Sequence, residues 1–104
     1  MNEIKNAPDV IKLLEKKYTI TELYPNDEKP LQIGELVEHY DIIAISPNQS
    51  EENKKITMFH ELVHALFIQT GHSQYGENEE LIDCIALGIY SLIKNNNFDF
   101  MKGE

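Results

Sequence analysis

Ile56-Thr57-Met58-Phe59-His60-Glu61-Leu62-Val63-His64-Ala65-Leu66-Phe67 is the stretch on which the rest of the chain depends. Ile56, Phe59, Leu62, Val63, Leu66 and Phe67 recur at three- and four-residue spacing, the pattern of an amphipathic helix with one buried face. His60 and His64 fall at the edge of that apolar stripe. Residues four apart share a helix face, with Cβ atoms roughly 5–6 Å apart. Two imidazoles so placed can turn onto one ion. Glu61, one residue on from His60, points about 100° further round the helix. Its carboxylate is then beside the ion and not on it, where a general base belongs. His-Glu-Leu-Val-His is an instance of H-E-x-x-H, the zinc metalloprotease pattern.

Ser50 is a suitable N-cap for this helix, and Glu51 and Glu52 suit the positive end of its first turn. The helix is predicted from about residue 51 to residue 70, with Gly71 just beyond its C-terminus. Residues 72–78 read as a polar loop, and a final helix as running from about 79 to 94.

Upstream, residues 7–18 read as a first helix, with Pro8 and Asp9 in its first turn and Val10, Ile11, Leu13, Leu14 and Tyr18 on its apolar face. Residues 18–24 alternate β-branched and aromatic types, as a strand does. Pro25 to Pro30 is a turn-rich connection. Residues 31–38 and 41–46 read as two further strands, reversed at His39-Tyr40; Leu31 to Glu38 also fits a short helix. The expected fold is α+β. It has an N-terminal helix, a small antiparallel three-stranded sheet, the motif helix, and a C-terminal helix, a minimal zincin-like plan. A chain of 104 residues is expected to form a single domain, spanning 1–104.

Composition excludes several classes. Asp and Glu number 18 against nine basic residues, for a formal charge of −9. All nine are lysines, and arginine is the usual bidentate reader of guanine and phosphate. Nucleic acid is therefore not an expected partner. The single cysteine, Cys84, rules out a disulfide within the chain and reads as a small buried hydrophobe. No apolar run approaches the ~18 residues of a membrane span, and the first residues lack a signal peptide's apolar core. A cytoplasmic protein that does not bind membranes is the expectation.

Catalytic zinc sites have three protein ligands and an open position. The second helix opens Glu77-Asn78-Glu79-Glu80-Leu81-Ile82-Asp83, and Glu79 and Asp83 lie four apart on one face. Glu79 suits the third ligand, with Glu80 its rival. Asp83 suits a carboxylate that accepts a hydrogen bond from the far nitrogen of a ligand histidine. His72 and Tyr75, in the loop between the two helices, are candidates to hydrogen-bond an oxyanion or plain surface residues. His39 reads as a solvated turn residue, and Phe98 and Phe100 as core or partner contacts.

His60 to Leu66, followed by Glu79-Glu80-Leu81-Ile82-Asp83-Cys84-Ile85-Ala86, resembles the gluzincin plan. More narrowly, it is similar to the ImmA/IrrE-type metallopeptidases of phages, prophages and mobile elements. In that family a second helix carries a glutamate, then Asn or Asp four residues on, then an apolar residue and Ala. Glu79, Asp83, Ile85 and Ala86 match those positions. Where the family's helix ends in a Leu-Leu-Met-Pro-like run, this chain reads Leu87-Gly88-Ile89-Tyr90-Ser91. The resemblance implies a zinc-dependent endopeptidase acting on a protein or peptide substrate, in the family a repressor-type regulator. His60, His64 and Glu79 would hold the metal, Glu61 would be the base, and Asp83 would orient a histidine. The rival expectation is a metal-stabilised regulatory protein that binds a partner without cutting it.

Overall fold

The computed structural model describes residues 4–5, 7–24 and 32–103. It is an α+β fold in which four strands precede two long helices. The strands are β1 (Val10–Leu13), β2 (Lys16–Glu22), β3 (Gly34–Val37) and β4 (Ile42–Ile45), and the helices are α1 (Glu51–Gln69) and α2 (Glu79–Asn95). The turn-rich connection expected at residues 25–30 lies outside the described residues.

The expected N-terminal helix is instead a hairpin. β1 and β2 pair antiparallel, with Leu13 opposite Lys16, so that Leu14 and Glu15 alone make the turn. Ile11 and Leu13 turn inward from β1, and Tyr18 and Ile20 from β2, while Val10 and Leu14 stay exposed. The apolar set therefore follows a period of two and not one near four. Leu14 takes a left-handed conformation, φ 53°, which costs a non-glycine residue roughly 1–2 kcal/mol. A distant residue offsets that strain. At the end of α1, Gln69 donates its amide to the Leu13 carbonyl and the Tyr18 hydroxyl, both at 2.9 Å, and its oxygen accepts the Glu15 N–H at 3.3 Å.

The sheet has four strands in the order β1-β2-β4-β3 and is mixed, not a three-stranded antiparallel meander. β3 and β4 are antiparallel, reversed by a 3-10 turn at Glu38–Tyr40 and by Asp41, whose φ of 53° is left-handed. β4 then inserts beside β2 and runs parallel to it. Its sequence gives the reason. Ile42-Ile43-Ala44-Ile45 is apolar without alternation, and a strand covered on both faces belongs in the middle of a sheet. Ile43 and Ile45 are fully buried. β3 is left as a sheet edge.

α1 starts where expected, the Ser50 hydroxyl accepting the Asn53 N–H at 3.1 Å. It ends before Gly71, whose φ is +77°. Met58 and Ala65 join Tyr18, Ile20, Ile43 and Ile45 in the core between α1 and the sheet. α2 lies mainly against α1 and buries Ile82 and Ala86. Tyr90 and Lys94 of α2 both reach Glu52 of α1 at 3.0 Å. Cys84 is exposed, contrary to expectation, because only one side of α2 is covered. His39 is exposed, as are Phe98 and Phe100, whose rings lie 6.1 Å apart. Among the described residues, no helix is long and apolar enough to cross a membrane.

Candidate metal centre

α1 and α2 bring three donor groups to one point. His64 Nε2 lies 3.2 Å from His60 Nε2 and 2.9 Å from Glu79 Oε1, and His60 Nε2 lies 3.4 Å from the same oxygen. Ligand atoms 2.0–2.1 Å from a tetrahedral ion sit about 3.3 Å from each other. The three separations straddle that value. Among the described residues these are the His, Cys, Asp and Glu side chains grouped closely enough to hold a metal, and Glu80 is not one of them. The set, two imidazoles and one carboxylate, is one that could hold a metal ion.

Helix ends fix the geometry. The Asn78 side chain caps α2, accepting the Leu81 N–H at 3.1 Å, and this places Glu79 in the first turn with its carboxylate towards α1. One turn later Asp83 Oδ1 stands 2.7 Å from His60 Nδ1. A carboxylate there can accept an Nδ1–H, the tautomer that would leave the Nε2 lone pair facing the other two donors. The N-cap was readable from Asn78 before two glutamates and an apolar run, though the spacing alone could not choose between Glu79 and Glu80.

Glu61 lines the same groove as the donors, lies against Gly34 of β3 and is only 8% exposed. Burial pushes its carboxyl up from 4.5 to about 7; the charge of His60 opposes the rise, and Glu79 and Glu35 add to it. Gly34 on the edge strand makes room for it. A Cβ built on Gly34 would stand 2.6 Å from Thr57 Cγ2 and 3.1 Å from Glu61 Oε2. Gly76, in the 3-10 segment Ser73–Glu77, backs the other side of the site, where an added Cβ would come 3.0 Å from His64 Nδ1. The sequence carried no sign of either role, since both concern space beside residues far along the chain.

The donors border an open groove of about 800 Å³ between α1 and β3. The Ser46 N–H bonds the Ile33 carbonyl at 2.9 Å, which fixes the register of β3 on β4. Alternate backbone groups, those of Gly34 and Leu36, therefore face away from the sheet along its free edge. The Gly34 carbonyl already accepts the Gln32 side-chain amide at 3.0 Å. His72 and Tyr75 do not line the groove. Their rings stack on each other, 5.7 Å between centroids, and Tyr75 also meets Phe67 at 5.6 Å.

No curated protein and no solved structure matches the chain. Residues 14–99 match the family model Peptidase_M78, described as the IrrE N-terminal-like domain. That match takes in the hairpin turn, the edge strand, the motif helix and the helix that carries Glu79. The chain, a metallopeptidase-family α+β domain with a possible metal-binding triad, belongs to this IrrE N-terminal-like family.

Proposed function

We propose that the chain is a zinc-dependent endopeptidase that cleaves an extended segment of a protein substrate. The observation that carries this reading is the convergence of His60, His64 and Glu79 beside a buried Glu61 at the wall of one open groove. When bound, zinc supplies Lewis acidity, polarising the scissile carbonyl and acidifying a water. His60, His64 and Glu79 hold it, and Asp83 keeps His60 in the tautomer that presents Nε2. The Glu61 carboxylate takes the proton of the attacking water and later gives it to the leaving amine. Burial raises the Glu61 carboxyl in the metal-free chain, the direction that suits a group which both takes and returns a proton. The substrate lies along β3, where the outward backbone groups of Gly34 and Leu36 can add it as a further strand. The side chain of Gln32 leaves the Gly34 carbonyl as the segment enters.

A metal with a purely structural role is enclosed by four protein ligands. Here Glu79 remains more than half exposed and the triad borders open space, which favours catalysis over a binding-only regulator. The family resemblance supports a regulatory protein as substrate. The test is digestion of a randomised peptide library by zinc-loaded wild type and Glu61→Gln, read by mass spectrometry. The substitution is expected to leave zinc bound and to slow cleavage about 10²–10⁴-fold, the usual contribution of a general base. Full cleavage by Glu61→Gln contradicts the mechanism.

A further inference from the structure

The groove along β3 does not stop at the metal donors. A second cavity of about 250 Å³ adjoins it, and Leu36, Glu38 and Ile68 belong to the walls of both. The floor of this cavity is apolar, made by Leu36, Ala65 and Ile68. Two of its polar walls are already engaged, Gln69 donating to the Tyr18 hydroxyl at 2.9 Å. A third, Asp41, is met by Lys16 at 3.3 Å. Glu38 is different. It is exposed, lines both cavities, and has no ion-pair partner among the described residues.

Among the described residues the cavity thus joins apolar walls, the Lys16–Asp41 pair and one carboxylate, Glu38, that has no ion-pair partner. Its volume equals about eight waters at ~30 Å³ each, room for one long side chain. A short apolar side chain leaves Glu38 without a partner, and an acidic one meets Glu38, since Lys16 is already engaged by Asp41. Lysine and arginine match both features, with an aliphatic stem for the floor and a cationic head for the rim. Charge points the same way. Among the described residues no lysine lines the main groove, which carries Glu38, Glu61, Glu79 and Asp83.

We propose that this cavity is the specificity pocket of the groove: it takes a lysine or arginine side chain of the segment held along β3, and Glu38 selects it. The proposal rests on the peptidase reading for the identity of the segment, but the pocket can be tested without cleavage. The experiment titrates isotope-labelled, metal-free protein with acetyl-Ala-Lys-Ala-amide. A parallel titration uses the norleucine peptide, which has the same stem without the ammonium. The lysine peptide is expected to bind about fivefold more tightly, the upper end for an exposed ion pair. It should shift the amide signals of Leu36, Glu38, Ala65 and Ile68. Glu38→Gln, at an exposed turn, should abolish the difference, and Glu38→Lys should reverse it in favour of a glutamate peptide. Equal affinities in the wild type overturn the proposal, as does a lysine advantage that survives Glu38→Gln. So does the absence of shifts at these amides at millimolar peptide. The titration uses no metal, so a failure of the zinc-loaded enzyme to cleave peptides counts against the peptidase reading alone.

Discussion

Replacing Glu61 with glutamine should change how the stability of the metal-free protein depends on pH. In the folded chain burial holds the Glu61 carboxyl at about 7, against 4.5 for an ordinary glutamate. Between those values the native state keeps a proton that the unfolded chain has lost. Stability therefore falls as pH rises through that window, by about 1.4 kcal/mol per unit. Over the whole window the loss is about 3 kcal/mol. It is complete above the folded value and absent below 4.5. Glutamine has the same shape and no charge, so Glu61→Gln removes this contribution. Urea denaturation of both proteins with chelator present, from pH 4.5 to 7.5, reads it, because carboxylates that do not interact with Glu61 cancel in the difference. The two should be nearly equal in stability at the acid end, and Glu61→Gln should be more stable by about 3 kcal/mol at the alkaline end. A difference that stays constant across the range would refute the claim that Glu61 is buried as a protonated acid.

Two further substitutions test the supports of the metal centre. Asp83→Asn leaves the shape unchanged but takes away the carboxylate 2.7 Å from His60 Nδ1, so zinc affinity measured by competition with a chromophoric chelator should fall about 10–100-fold. An unchanged affinity would mean that His60 needs no orienting partner. Gly76→Ala puts a methyl group 3.0 Å from His64 Nδ1 and should weaken zinc binding while barely moving the urea midpoint of the metal-free protein, since the segment is on the surface. Loss of fold stability without loss of affinity would show Gly76 to be structural only.

The motif helix was legible because its signals are local. Ser50, the apolar stripe and Gly71 mark both ends and one face of α1, and the two histidines share that face by helical geometry alone. The hairpin at the N-terminus was not legible, for a physical reason. Its turn, Leu14-Glu15, has none of the glycine or asparagine that usually occupies a left-handed position. It is held by Gln69, 56 positions from Leu13. Without a turn signal, Val10, Ile11, Leu13 and Leu14 fit a helix as well as a strand. The sheet order failed for a similar reason. The local pattern gives each strand, but that β4 and not β3 lies beside β2 is decided by which strand can be covered on both faces. Cys84 was misjudged because its residue type is usually buried, whereas α1 covers only the side of α2 that carries Ile82 and Ala86. The choice of Glu79 over Glu80 turned on a cap, and the roles of Gly34 and Gly76 on space that only the folded chain defines.

The most direct test of the central claim is elemental analysis of zinc in the purified protein, wild type beside His64→Ala, Glu79→Ala and Glu80→Ala. The account predicts about one zinc per chain in the wild type and in Glu80→Ala. It predicts loss of that zinc in His64→Ala, and weak or partial loading in Glu79→Ala. A wild type without metal that zinc fails to stabilise against heat would contradict it, as would zinc content that follows Glu80 instead of Glu79.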